Sequence, residues 1–450
     1  MSVRVERLEP AQAELLQRQA AGGLAAAGLG PGDRVAFTLG SSAALLCAVL
    51  GATRSGVVPV MLNAQLTRAE TEALLEDAQP QLLISTPEAL AELLGGPEHE
   101  LSRYPLTRPM HYTSGTTGRA KGVWSGVWDE ETAAAVFEDE AALWGFGPED
   151  VHLVCSPMYH TVSIRFAAGT LLSGGSLVVM ERFEASLALE LLRSGEPTTT
   201  FLVPTHLQRI LALPELRPDE RFSSLRFLAH AGSACPPALK RAAMDRVERG
   251  ALLEFYGSTE GQFTVCSEEL WLEHPGTVGR SRPGRRVFVD EELADEHGVG
   301  PLWCEAPDFA RFEYWRNPEA TALAWRGSAF SVGDLGRVVD GLVYLDGRRD
   351  DLVISGGVNV YPAEVEAALT GLEGVEQVCV FGLEDEAWGQ RVVAAVVADD
   401  PSREVALRAR AEERLAPFKR PKEYVFTASL PTTATGKVLR RELANYLGLA

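Results

Sequence analysis

At 450 residues the chain is too long for one ordinary core, and length alone predicts two or three domains. Its 42 Lys and Arg against 62 Asp and Glu leave a net charge of −20 with no sustained basic stretch, which argues against nucleic acid or an anionic membrane as the main partner. A hydrophobic fraction of 46% and a charged fraction of 23% are those of a soluble globular protein. Any polyphosphate bound against that overall field has to be held by local donors and a metal.

The six cysteines, Cys47, Cys155, Cys235, Cys266, Cys304 and Cys379, are scattered without a CxxC pair or zinc spacing. They read as reduced, mostly buried thiols of a cytoplasmic protein. The N-terminal residues lack the apolar core of a signal peptide. The longest apolar region, 43–62, is broken by Arg54, Ser55 and Gly56 and reads as a core helix followed by a strand, so no stable membrane insertion is expected.

In chain order, the apolar spacing predicts a helix over 14–27, stopped by Gly28-Leu29-Gly30-Pro31-Gly32, then a strand over 34–38. The Gly28-Leu29-Gly30 pair follows a helix and precedes a strand, the wrong order for a dinucleotide fingerprint. A helix over 43–54, a strand over 57–62, a helix over 68–77 and a strand over 81–84 follow. Next comes the run Tyr112-Thr113-Ser114-Gly115-Thr116-Thr117-Gly118-Arg119-Ala120-Lys121-Gly122. Its glycines permit tight turns and close approach, its hydroxyls supply donors for phosphate oxygens, and Lys121 adds a mobile cation. A Walker loop needs Gly before the lysine and Ser or Thr after it; Ala120 and Gly122 stand there instead. This is a phosphate loop of another kind.

Beyond the loop, strands over 151–155 and 176–180, a helix over 185–192 and strands over 198–203 and 225–229 continue the strand–helix alternation of an α/β fold with a largely parallel sheet. Residues 276–344 change to short β segments rich in Gly and Pro. The charged break 347–351 precedes a helix over 361–369, strands over 375–382 and 391–397 and a helix over 402–415, a compact α+β unit. The domain boundary is expected near Asp350, dividing the chain into 1–349 and 350–450.

Four further clusters stand in register with the opening loop: Phe255-Tyr256-Gly257-Ser258-Thr259-Glu260, Ser331-Val332-Gly333-Asp334-Leu335-Gly336, the stretch from Gly347-Arg348-Arg349-Asp350 through Gly356-Gly357 to Tyr361-Pro362-Ala363-Glu364-Val365-Glu366, and Pro431-Thr432-Thr433-Ala434-Thr435-Gly436-Lys437. Together they resemble the adenylate-forming superfamily of acyl-CoA synthetases, carrier-protein adenylation domains and firefly-type luciferases, over nearly the whole chain from Leu24 to Arg441. One departure is Ala120, where the family usually has proline before the lysine.

The resemblance implies an α/β fold. A large N-terminal AMP-binding domain of stacked mixed and parallel sheets carries helices and a small β-rich subdomain, and a small mobile α+β C-terminal domain brings a catalytic lysine. It implies ATP, Mg²⁺ and CoA as cofactor and cosubstrates, a small carboxylic acid as substrate, and transfer to a carrier protein as the alternative to CoA; a homodimer is compatible with it. Thr113, Ser114, Gly115, Thr116, Thr117, Gly118 and Lys121 would hold the departing phosphates. Tyr256 offers a ring to the adenine, beside Gly257 and Ser258; Thr259 offers a hydroxyl to the α-phosphate, and Glu260 a hard oxygen to Mg²⁺. Asp334 suits the ribose hydroxyls and Arg348 the ribose or α-phosphate, while Lys437 would stabilise charge during adenylation. Asp350 would be the hinge, and Gly356-Gly357 the passage for a pantetheine arm.

Each residue also has a plainer reading: a solvated turn for the loop, a turn cap for Asp334, a linker charge for Arg348, a surface charge for Lys437. His160, His230, Ala231 and Gly232 should border the acyl site, with His160 equally readable as a core residue. Arg165 reads as a solvated or paired arginine, with recognition of a second carboxylate as the sharper alternative. The small, apolar neighbours favour a fatty or bulky apolar acid.

Overall fold

The computed structural model describes residues 3–113, 120–348, 351–355, 358–385, 389–415, 417–433 and 438–449. They pack as two compact units, 1–286 with 305–330, and 287–304 with 331–450. The hinge expected at Asp350 lies outside the described residues and stands as an expectation.

The first unit contains two sheets. In the smaller, Leu82–Ile84, Arg34–Phe37, Val58–Met61 and Met110–Thr113 run parallel, and Lys121–Trp124 and Glu313–Tyr314 add antiparallel at the far edge. In the larger, Ser176–Met180, Val151–Val154, Thr199–Leu202, Phe227–His230 and Leu252–Glu254 form a parallel series. Val5–Leu8 closes one side antiparallel, and Thr264–Ser267 followed by Arg280–Ser281 extends the other. Strands buried on both faces need continuous apolar runs, and Val58–Met61 and Thr199–Leu202 are buried at every position.

The helix Ala43–Arg54 begins where predicted, because the Ser42 hydroxyl accepts the Leu45 N–H at 3.0 Å, a cap of about 1 kcal/mol. It is buried on nearly all sides and packs against Pro10–Ala26. Gly51 permits that contact: a Cβ there would lie 2.4 Å from the Gln17 carbonyl oxygen. Around these helices a core gathers Leu45, Leu46, Val49 and Leu50 with Val154, Ile164 and Leu177. The helix predicted from 14 starts earlier, at Pro10, since proline suits a first turn whose N–H groups have no helical partner.

In the second unit, Gly300–Glu305 pairs with Asp334–Val339, which pairs in turn with Leu342–Arg348. The C-terminal part has the sheet order Val358–Val360, Val353–Ser355, Gly389–Ala398, Val375–Asp385, with Glu423–Phe426 parallel to Gly389–Ala398. Helices Pro362–Leu369 and Glu404–Arg414 bury Val365, Leu369, Leu407 and Ala411 with Val380, Val392 and Val396 of that sheet, the expected α+β unit. No described helix is long and apolar enough to cross a membrane. All six cysteines are free, five of them buried, and burial pushes the Cys47 and Cys155 thiols up to about 12.

Candidate functional site

The phosphate loop connects two strands of one antiparallel hairpin. Thr113 ends Met110–Thr113, Lys121 opens Lys121–Trp124, and the two are register partners. A Walker loop leaves a strand and enters a helix, so the geometry agrees with the residue pattern in separating the two kinds. Ser114, Gly115, Thr116, Thr117 and Gly118 lie outside the described residues, as do Asp350, Gly356, Gly357 and Lys437.

The parallel series of the larger sheet decides what shares an edge. Val154, Leu202, His230 and Glu254 end neighbouring parallel strands, so the segments after them emerge at the same side. His230 is itself one of those ends, and His160, Ala231 with Gly232, and Tyr256 to Glu260 follow them. The carboxyl edge of a parallel sheet is where ligands of α/β proteins bind.

After Glu254 the chain makes a tight hairpin. Gly257 bridges Gln262, and the Ser258 N–H donates to the Gly261 carbonyl at 2.8 Å, which puts Thr259 and Glu260 at the tip. Gly257 is required there, because a Cβ would sit 2.8 Å from Gln262 Cα. The Tyr256 ring stacks on Phe263 with centroids 4.7 Å apart, so that face is closed to a nucleobase. The Ser258 hydroxyl is buried without a partner among the described residues.

Glu260 is 5% exposed and forms no ion pair among the described residues. Its Oε1 accepts the Tyr314 hydroxyl at 2.8 Å, and the same Tyr314 ring carries the Lys121 ammonium 4.8 Å from its centroid. A buried carboxylate without a cation is costly, whereas Mg²⁺ favours one or two hard carboxylate oxygens. The site therefore fits a divalent cation, with Glu260 as the ligand offered by this unit.

A second buried network holds the hairpin from below. Arg165 donates through Nη2 to Gln262 Oε1 at 2.6 Å and lies 3.1 Å from Glu140 through Nε. Arg282 binds Glu140 at 2.6 Å and Asp139 at 2.5 Å, and Arg285 reaches Asp139 at 2.9 Å. Burial opposes charge on Glu140, but Arg165, Arg282 and Arg108 outweigh it and hold the carboxyl down to about 2. Arg165 is thus the paired arginine of the plainer reading, and no guanidinium is offered to a second substrate carboxylate from this position.

The imidazoles near the strand ends are neutral. Burial pushes His160 down to about 4, and His206 and His230 to about 3. His160 stands at the start of helix Thr161–Leu172 against the Tyr159 ring, its Nε2 buried without a partner among the described residues. His206 stacks on Phe183 at 3.8 Å. His230 is fully buried, both ring nitrogens lack hydrogen bonds among the described residues, and its Nδ1 lies 4.0 Å from Glu254, whose other oxygen binds Lys240 at 2.5 Å. Ala231 is buried and Gly232 has φ 95°, a backbone that favours glycine.

Asp334 opens its strand in the second unit, buried, directly after Gly333 with φ 82°, and its register partner is Arg348. The two residues expected near the ribose thus stand opposite one another in register on one strand pair. Tyr314 had no signal in the sequence beyond an aromatic among short β segments, and Glu140 none beyond an acid in a helix.

The family model for AMP-binding enzymes matches residues 5–104 and 109–314, and that for the AMP-binding enzyme C-terminal domain matches 364–437. Feruloyl-CoA synthase of an Amycolatopsis species is 34% identical, over 97% of this chain and 94% of its own. Long-chain-fatty-acid–CoA ligase FadD13 of Mycobacterium tuberculosis is 30% identical over 97% and 92%. Among solved structures, O-succinylbenzoate coenzyme A synthetase (MenE) of Bacillus subtilis, in complex with ATP and magnesium ion, has a TM-score of 0.81 at 26% identity and covers 96% and 94% of the two chains. The chain therefore belongs to the AMP-binding enzyme family, as an AMP-forming acid–thiol ligase of the acyl-CoA synthetase type.

Proposed function

We propose that this ligase activates a fatty or bulky apolar monocarboxylic acid, of aryl or sterol-derived type, and transfers it to CoA in the cytoplasm. The observation that carries the site reading is the buried Glu260, without a cation among the described residues and tied through Tyr314 to Lys121. One side chain there suits a metal and the other a phosphate. The tail of the acid would meet neutral imidazoles and small residues, since His160, His206 and His230 are held uncharged at neutral pH and Ala231 and Gly232 add little bulk. Arg165, engaged by Glu140 and Gln262, argues against a dicarboxylic substrate.

In the first half-reaction a carboxylate oxygen attacks the α-phosphorus of ATP, and pyrophosphate leaves toward Thr113 and Lys121. Glu260 would hold Mg²⁺, whose charge would offset that building on the phosphates. Catalysis is positioning and charge stabilisation, with no covalent step on the protein. In the second, the CoA thiol attacks the acyl carbonyl, the carbon–oxygen bond to phosphate breaks and AMP departs. We assign Lys437 to the first step and the Gly356-Gly357 passage to the second, with Asp334 and Arg348 at the ribose, Tyr256, Gly257, Ser258 and Thr259 around the nucleotide, and a swivel at Asp350 between residues 1–349 and 350–450.

An ATP–pyrophosphate exchange assay over a panel of carboxylates tests this reading. Exchange is expected with aryl or medium-to-long apolar acids; exchange confined to short dicarboxylates overturns the acid class. Thioester yield with CoA and with a holo-carrier protein then compares the two acceptors, and a higher yield on the carrier overturns the choice of CoA.

A further inference from the structure

Tyr314 stands between two opposite charges. Its hydroxyl binds Glu260 Oε1 at 2.8 Å, and its ring face holds the Lys121 ammonium at 4.8 Å. Lys121 and Glu260 form no salt bridge with each other or with any other described residue. A direct pair would satisfy each group with the other and compete with both phosphate and metal. An aromatic face attracts an ammonium without neutralising it, and a phenol donates to one carboxylate oxygen while leaving the second open.

The ring is held in place from several sides. Glu313–Tyr314 pairs antiparallel with the strand that begins at Lys121, so the lysine and the tyrosine are carried by adjoining strands. The Tyr314 N–H donates to Thr321 Oγ1 at 2.9 Å, and its ring meets Phe312 edge-on at 5.4 Å. Phe312 packs on Phe330, whose ring lies where a Cβ on Gly261 would come within 2.8 Å, beside the Glu260 turn. The same packing that fixes Tyr314 thus borders the hairpin that carries its carboxylate.

We propose that Tyr314 is a positioning residue of the phosphate end: its hydroxyl presents Glu260 to the metal through Oε2, and its ring keeps Lys121 apart from that carboxylate and available to pyrophosphate. This rests on the assignment of Glu260 to the metal and Lys121 to phosphate. Tyr314→Phe separates the two contacts, since it fills the same volume, removes the hydroxyl and keeps the ring. The readout is the thermal shift of the protein with α,β-methylene-ATP titrated with Mg²⁺, together with pyrophosphate binding without metal.

Loss of a partner that orients a metal ligand typically costs 10–100-fold in metal affinity, so the half-saturating Mg²⁺ is expected to rise by about tenfold or more in Tyr314→Phe. Metal-free pyrophosphate binding stays unchanged. Glu260→Gln, run alongside, separates the failures. An unmoved Mg²⁺ midpoint in Tyr314→Phe beside a shifted one in Glu260→Gln overturns the role of Tyr314 alone. A midpoint unmoved in both overturns the metal assignment and the proposal with it. Equal losses of Mg²⁺ and pyrophosphate binding in Tyr314→Phe overturn the division between hydroxyl and ring.

Discussion

Burial of ring nitrogens gives this protein a defined response to acid. His111, His152, His160, His206 and His230 are all pushed down, to between about 3 and about 4, chiefly because burial disfavours the imidazolium. The unfolded chain protonates them near pH 6.5, so below that pH it binds more protons than the folded protein. Stability is therefore complete above about pH 6.5 and falls as the pH drops toward the folded values, by about 1.4 kcal/mol per histidine per pH unit. Glu140, held down to about 2, adds its own loss only below the ordinary Glu range, while burial raises the Glu254 and Glu366 carboxyls above it, so their protonation in the folded protein offsets part of the loss from the five histidines. Thermal melts should show the midpoint falling continuously from about pH 6.5 to about pH 4.5; a flat profile would contradict the neutral, buried imidazoles. A single sequence could not reveal this, because a histidine's neutrality depends on what surrounds it.

Two hairpins organise the candidate site, and each was legible to a different degree. The run from Thr113 to Lys121 reads as a phosphate loop by its glycines and hydroxyls, whereas the strands that pair at its base are not among the expected elements. The hairpin of Tyr256 to Phe263 was legible as chemistry but not as architecture. Its turn depends on Gly257, and its support depends on Arg165, which is 97 residues away in sequence from Gln262. Gly257→Ala should force the strands of that turn apart and cost about 1–3 kcal/mol as overpacking, measured by chemical denaturation. Arg165→Leu removes one partner from a buried ion network, which costs about 3 kcal/mol or more, and should raise KM for ATP by loosening the Glu260 turn. A stability loss with KM for ATP unchanged would assign Arg165 to the core alone.

At the scale of the whole molecule, the predicted elements largely match the observed ones because strand–helix alternation and caps are local signals. The strand expected over 375–382 runs instead over Val375–Asp385, paired along its length with Gly389–Ala398, since an antiparallel partner extends pairing past the point where apolar alternation ends. The division of labour between half-reactions belongs at this scale too. Lys437→Ala should abolish ATP–pyrophosphate exchange yet still convert supplied acyl-adenylate to thioester, and Gly357→Trp should do the reverse. Equal loss of both halves in either variant, followed by stopped-flow and thioester assays, would sink that division.

The sequence by itself carried the family: five motif clusters in register resemble the adenylate-forming superfamily, and that resemblance implied ATP and adenylation, because motif residues stand together in the chain. Only the tertiary structure decided that Arg165 is spent on Glu140 and Gln262, that burial lowers the pKa of five histidines, and that Tyr314 stands between Lys121 and Glu260. Those properties come from burial and from contacts between residues far apart in the chain, and no local pattern carries them.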